Sequence, residues 1–254
     1  RVNYLEKVAK NMTFNFDFAG ENNPINDLKR QLEKSNDRDQ IQLEAVNIIK
    51  SFYKKSIELI ETSFIENPES SKLVTWAYSK LTDKTLESVF FVCEDFLYPK
   101  SSKKIQEFSV ISVGGYGREQ MAPYSDIDIL FLVREKITKR VRGIIETTLY
   151  MLWDLKLKVG HATRNMKECL KLAQDDFTIR TALLENRFVY GNRSLADSLD
   201  KRLWEKIFSR SVSQFVEAKL IERSIRLRKH GGQRYVLEPN VKEGKGGLRD
   251  LQSL

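Results

Sequence analysis

Cysteine is almost missing from this chain. The two present in 254 residues, Cys93 and Cys169, are far apart and sit in apolar helical patterns (Val89, Phe90, Cys93, Phe96; Met166, Cys169, Leu170). A disulfide framework is thereby excluded, and reduced core thiols are expected, as in a reducing compartment. No run approaches the ~18 consecutive apolar residues of a membrane span, and the opening RVNYLEKVAKN has no apolar signal-peptide region, so a cytoplasmic protein with no membrane partner is expected. There is no internal repeat and no low-complexity tract. Nor is the charge one-sided, because 43 Lys and Arg are interspersed with 35 Asp and Glu. The net charge of +8 attracts polyanions in general, whether a triphosphate, a nucleic acid or an acidic partner. The length suffices to bury roughly 70–75% of the unfolded surface, enough for one large domain or two small ones.

What is present is concentrated between Val110 and Val133, VISVGGYGREQMAPYSDIDILFLV. It reads as a strand, a glycine turn and a second strand that opens with two aspartates. Side chains alternate along a strand, so Asp126 and Asp128 share one face while Ile127 and Ile129 take the other. Two carboxylates on one face suit Mg²⁺, which is usually held by one or two carboxylates together with substrate phosphates. Upstream, Gly114 and Gly115 carry no Cβ to keep a phosphate from the turn's amides. Either half alone is ordinarily a simple turn or a solvated strand face; in order and between hydrophobic strands they point to one site. The arrangement resembles the nucleotidyltransferase superfamily of DNA polymerase β, in which such aspartates hold two metals and a hydroxyl attacks the α-phosphate of a nucleoside triphosphate.

Periodicity organises the rest. Residues 1 to about 39 are polar without a sustained period and are expected to form an extended or partly ordered arm. Ile41, Ala45, Ile48, Ile49, Phe52 and Leu59 mark one helix, and Leu86, Val89, Phe90, Cys93, Phe96 and Leu97 a second. Pro68 with Ser70 and Ser71 separates them, and Pro99 with Ser101 and Ser102 ends the second. A helix with Val141, Ile144, Ile145, Thr148, Leu149 and Leu152 on one face follows the aspartate strand, and LKLKVGHATR then alternates as a half-buried strand. Helices return at 166–173 and 177–184, and a long charged helix runs from about Ser194 to Lys229 with a break near Ser209. The expected fold is α+β: a mostly helical region at 1–104, a small mixed-sheet core at 105–165, and a helical domain at 166–254.

Four blocks narrow the match. GGYGREQMAPYSDIDILFL at 114–132 resembles the bacterial PII uridylyltransferases, whose usual form is close to GGYGRGELxPxSDIDLLFL. WDLKLKVGHATR at 153–164, LLENRFVYGN at 183–192 and LEPNVKEGKGGLRDLQ at 237–252 are similar to further segments of that family, in order. The resemblance implies a polymerase β-type nucleotidyltransferase core. It also implies Mg²⁺-dependent transfer of UMP from UTP to a tyrosine of the nitrogen-signalling PII protein, with release of pyrophosphate. The family's HD-type hydrolase and ACT domains lie further downstream, so the chain looks like the N-terminal part of a longer protein.

On that reading Asp126 and Asp128 are the catalytic metal ligands, Gly114 and Gly115 admit the triphosphate, and Ser125 donates to phosphate or supports the metal ligands. Arg118 either binds phosphate or braces the turn on a carboxylate. Lys242 and Arg249 flank a glycine-rich turn in a matched block and are nucleotide or partner contacts. Two departures stand out. Glu119 replaces the family's usual glycine, a strained choice if that position needs positive φ, and Lys245 replaces its proline. A third carboxylate is expected on the strand at 155–164, which offers only Gly160, His161 and Arg164; Glu185 is a substitute from a neighbouring helix, or else pairs with a base. In 219–234, Glu222 and Arg226 are placed to pair on a solvated helix face. Transfer to a nucleic acid, which would be strongly salt-dependent, is disfavoured by the blocks at 153–164 and 237–252. A non-catalytic nucleotide-binding relative is the third reading, supported by Glu119 and the missing carboxylate.

Overall fold

The computed structural model describes residues 23–35, 37–99, 108–210, 212–229 and 240–252. Most of the expected N-terminal arm, and the glycines at 231 and 232, fall outside the described residues. The end of that arm is not extended. Pro24–Leu32 (α1) is a helix whose N-cap Asn23 accepts from the Ile25 amide at 3.1 Å, with Pro24 preset for the first turn and Leu28 and Leu32 buried.

Arg38–Glu66 (α2) starts at its own cap, where Asp37 accepts from the Asp39 amide. Its buried face holds Ile41, Ala45 and Ile49 and ends on Ile60; Leu59, expected inside, is exposed. Ser71–Phe91 (α3) is buried over much of its circumference and runs into a π-helical stretch, Val92–Leu97. Cys93 and Leu97 are both buried there.

Four strands form one mixed sheet in the order β3–β2–β1–β4: β1 Phe108–Ser112, β2 Ile127–Val133, β3 Val159–Asn165 and β4 Arg187–Gly191. β1 runs antiparallel to both β2 and β4, and β3 runs parallel to β2. The connection between those parallel strands is Lys139–Asp154 (α4), which starts at Thr138 and buries all six residues of its expected face. This is the expected α+β arrangement, a small mixed sheet flanked by helices.

Two differences from the sequence reading have clear causes. The third strand starts at Val159 rather than Leu155, because α4 closes with a Schellman motif that uses up the intervening residues. Lys156 takes φ 62°, its amide donates to Trp153 O at 2.9 Å, and the Leu157 amide donates to Leu152 O at 3.1 Å. β4 lies within a stretch that reads as helical from sequence, since RFVYG is too short to display a period of its own.

The described residues fall into two compact units. The first extends to Cys169 and takes in Glu185–Leu199; the second comprises Leu170–Leu184 and the residues from Asp200 onward. The long charged segment divides into Arg193–Lys206 (α5), whose residues up to Leu199 belong to the first unit, a 3-10 turn at Phe208–Arg210 and Val212–Lys229 (α6). The expected Glu222–Arg226 pair is not formed. Glu222 takes Lys219 at 2.6 Å, while Arg226 and Arg223 reach Asp250 at 2.6 and 3.2 Å. No helix among the described residues is long and apolar enough to cross a membrane.

The core of the first unit centres on Phe90, fully buried, stacked on Tyr190 at 4.7 Å between ring centroids and angled against Phe108 and Phe131. Phe90→Ala is expected to cost about 3–5 kcal/mol in urea unfolding, because the void is walled by three rings that cannot collapse into it. Both thiols are buried, and burial pushes Cys93 up to about 12 and Cys169 up to about 11. Iodoacetamide at pH 8 should therefore leave the native chain unmodified and add two groups once guanidinium is present, as read by intact mass.

Candidate functional site

The site is assembled by strand direction. Because β1 is antiparallel to β2 and β4 while β3 is parallel to β2, the end of β1 and the beginnings of β2, β3 and β4 meet at one edge. The glycine turn, Gly114–Gly117, leaves β1 at that edge, and Asp126 and Asp128 enter β2 there. One hydrogen bond ties them together, from the Val113 amide to Asp128 O at 3.0 Å.

Asp128 is partly buried and Asp126 exposed. One glycine makes room for the Asp128 carboxylate: a Cβ on Gly160, its register partner on β3, would run into Oδ1, whereas one on Gly114 would make only ordinary contact with Oδ2 at 3.6 Å. Gly114 also has φ +60°, which only glycine adopts without strain. Gly117 matters as well, since a Cβ there would run into Glu185 O. Gly117 and Gly160 escaped the sequence reading; the third glycine of GGYG and the glycine inside an alternating strand were the available signals.

The turn ends in a second Schellman motif. The Glu119 amide donates to Tyr116 O at 3.1 Å and the Gln120 amide to Gly115 O at 2.9 Å, with Glu119 at φ 58°. The family's glycine at this place thus has a definite reason: it is the C′ residue of the closure. Glutamate there costs about 1 kcal/mol in backbone strain. Its carboxylate, mostly shielded from solvent, pairs with Lys80 at 2.7 Å.

Arg118 braces. Its guanidinium lies 2.5 Å from Glu185 and its Nε donates to Gln120 at 3.4 Å. Glu185 is thereby accounted for as a partner of Arg118. No third carboxylate faces the aspartates from β3, where Gly160 stands opposite Asp128 and His161 opposite Ile129, with the imidazole 6.4 Å from the Trp153 ring. Among the described residues no three His, Cys, Asp or Glu side chains are grouped closely enough to hold a metal. Two carboxylates with room around one of them nonetheless fit the donor set that Mg²⁺ completes with substrate phosphates.

Ser125 is exposed and follows Tyr124, which is 91% exposed and at φ 62°. Both border a cavity of about 300 Å³ whose walls include Tyr53, Tyr78, Met121 and Lys158. Burial, then Glu61, Tyr53 and Tyr124, push the Tyr78 phenol up to about 12. The Tyr78 phenol in the cavity wall is therefore neutral at physiological pH.

Lys242 and Arg249 lie in the second unit. The Asn240 side chain accepts from the Lys242 and Glu243 amides, and Arg249 pairs with Glu243 at 2.7 Å. Asp250 anchors this segment. A hydrogen bond from the Gly246 amide, then Arg223 and Arg226, draw its carboxyl down to about 2. A carboxyl depressed on folding stabilises above its unfolded value of 3.8 and loses that contribution as the pH falls through about 2.

The mixed sheet with a glycine turn and two aspartates at one edge has the α+β form expected from the sequence. The GlnD PII-uridylyltransferase family matches residues 214–254. A bifunctional uridylyltransferase/uridylyl-removing enzyme of Ruegeria pomeroyi is 50% identical over 196 residues, 77% of this chain and 22% of that protein. Those of Erythrobacter litoralis and Rhodospirillum rubrum are 41% and 43% identical, over 82% and 77% of this chain and 23% and 21% of theirs. The chain is similar to these bifunctional uridylyltransferase/uridylyl-removing enzymes and spans about a fifth of the length of the curated relatives it matches. A solved structure titled "Crystal structure of the toxin-antitoxin with AMP-PNP" aligns at TM-score 0.28 and 15% identity, covering 45% of this chain and 88% of that one. So weak a likeness carries no argument.

Two measurements check the geometry. Gly160→Ala should displace the Asp128 carboxylate and weaken Mn²⁺ binding about 10–100-fold by calorimetry, with the fold retained by circular dichroism. Carboxyl NMR should place the Asp250 midpoint near 2, and Asp250→Asn should lower stability at pH 7 while flattening its dependence between pH 4 and pH 2.

Proposed function

We propose that this chain is the nucleotidyltransferase part of a cytoplasmic enzyme that transfers UMP from UTP to a tyrosine hydroxyl of the PII signal protein, releasing pyrophosphate. The observation that carries the reading is the meeting of the glycine turn and the Asp126–Asp128 pair at one sheet edge, in a chain 41–50% identical to uridylyltransferases.

Asp126 and Asp128 would hold Mg²⁺, which when bound neutralises charge on the α-phosphate and the departing pyrophosphate. Gly114 and Gly115 let phosphate oxygens approach the turn's backbone. Ser125, exposed beside Asp126, donates to a phosphate oxygen. The tyrosine oxygen forms a bond to the α-phosphorus as the bond to the bridging oxygen of pyrophosphate breaks, and the phenolic proton passes finally to water. Arg118, held by Glu185, keeps the turn in place rather than meeting the phosphates.

The lack of a three-carboxylate group among the described residues favours a second reading, in which the site binds nucleotide without turnover. Intact-mass analysis of PII incubated with this chain, Mg²⁺, 2-oxoglutarate and each nucleoside triphosphate separates the two. One UMP gained per PII subunit with UTP alone supports transfer. UTP binding without any mass gain supports the second reading. Asp128→Asn should lower transfer at least about 100-fold with the thermal midpoint unchanged or raised, since it removes one carboxylate of an acidic pair.

A further inference from the structure

Behind the glycine turn lies a set of four charged side chains that the transfer reaction as described does not use. Asp83 and Lys80 stand on α3, Arg187 opens β4, and Glu119 closes the turn. Arg187 grips Asp83 with both guanidinium nitrogens, Nη1 to Oδ2 at 2.9 Å and Nη2 to Oδ1 at 2.8 Å. The Tyr116 hydroxyl, in a side chain only 1% exposed, donates to the same Asp83 carboxylate at 2.6 Å. Lys80 bridges Glu119 at 2.7 Å and Asp83 at 3.7 Å, and Arg187 lies 3.7 Å from Glu119. The guanidinium carbon also sits 5.2 Å from the centre of the Tyr116 ring.

Two cations and two carboxylates, each mostly shielded from water, make a neutral set. Such a set is a poor way to gain stability, because its desolvation offsets most of its attraction and apolar packing of the same volume does as well. What it supplies is geometry: a bidentate fork fixes distance and angle in a way that apolar contacts do not. The turn needs that. Three of its four residues are glycine, whose backbone loses the most freedom on ordering, and the residue closing it is a strained glutamate. Beside the brace of Arg118 on Glu185, Tyr116 within the turn and Glu119 at its close are tied to α3 and β4.

From this the geometry points to Asp83 and Arg187 as positioning residues for nucleotidyl transfer. Acting through Tyr116 and Glu119, they hold the Gly114–Gly117 turn at the spacing from Asp128 that the triphosphate requires. Neither touches the nucleotide. The inference rests on the transfer reading for its effect on rate, and on the structure alone for its effect on the turn.

The test uses Asp83→Asn and Arg187→Lys in this whole chain. Arg187→Lys keeps the charge balance and loses the fork, so it serves if Asp83→Asn fails to fold. Amide hydrogen exchange, UTP affinity with Mg²⁺ by calorimetry, and kcat and KM for PII modification are measured together. Expected are faster exchange confined to the Gly117–Gln120 amides, protection elsewhere in α3 and β1 retained, and a fall in kcat of about 10–100-fold with a much smaller change in KM for UTP. Wild-type kcat in both variants overturns the inference, as does a loss of rate accompanied by faster exchange throughout the first unit, which is mere destabilisation. Should the unsubstituted chain bind UTP and transfer nothing, the transfer reading fails by itself. Local loosening of the turn then still supports the bracket, and unchanged exchange overturns it. Absence of UTP binding by the unsubstituted chain overturns both.

Discussion

The carboxylate of Asp83 is the point on which the first unit's working edge depends. It joins three pieces of chain that have no local reason to meet: the middle of α3, the glycine turn 33 residues on, and the start of β4 another 71 residues further. A turn of three glycines and a buried tyrosine has little intrinsic preference for one conformation. Anchoring its tyrosine hydroxyl and its closing glutamate to a helix and a strand converts it into a fixed platform. The cost of burying the charges is met by complete pairing, two cations with two carboxylates, so that no charge is left alone in a low-dielectric setting.

Backbone strain gathers around the same edge. The positive-φ residues other than glycine among the described ones are Glu119, Tyr124 and Lys156, and each closes or borders a segment that leads to the aspartates. Glu119 ends the turn, Tyr124 precedes Ser125 and Asp126, and Lys156 ends the helix that delivers β3. Strained residues persist where their surroundings over-determine them. Glu119 is held by Lys80, and Lys156 by the two hydrogen bonds of its Schellman closure.

The absence of side chains is as much a part of the site as their presence. Gly160 leaves the Asp128 carboxylate in space that any Cβ at position 160 would take. That explains why β3 supplies no carboxylate opposite Asp128: the position that would carry one has been given to clearance.

Much of this was legible in the residues alone. The strand period puts Asp126 and Asp128 on one face, the helical spacing from Val141 to Leu152 names the inner face of α4, and both follow from local geometry that neighbours do not alter. Glu119 could be marked as strained, because positive φ is a local property; that Lys80 would relieve it could not. Nor could the partners of Asp83, Arg187 and Glu185, or the fourth strand, whose five residues carry no period and become a strand only by pairing with β1. Arg223 and Arg226 go to Asp250 instead of to a neighbour on their own helix for the same reason. Spacing along the chain determines which face a side chain leaves from, whereas the partner it meets is decided by which distant segments the topology brings to that face.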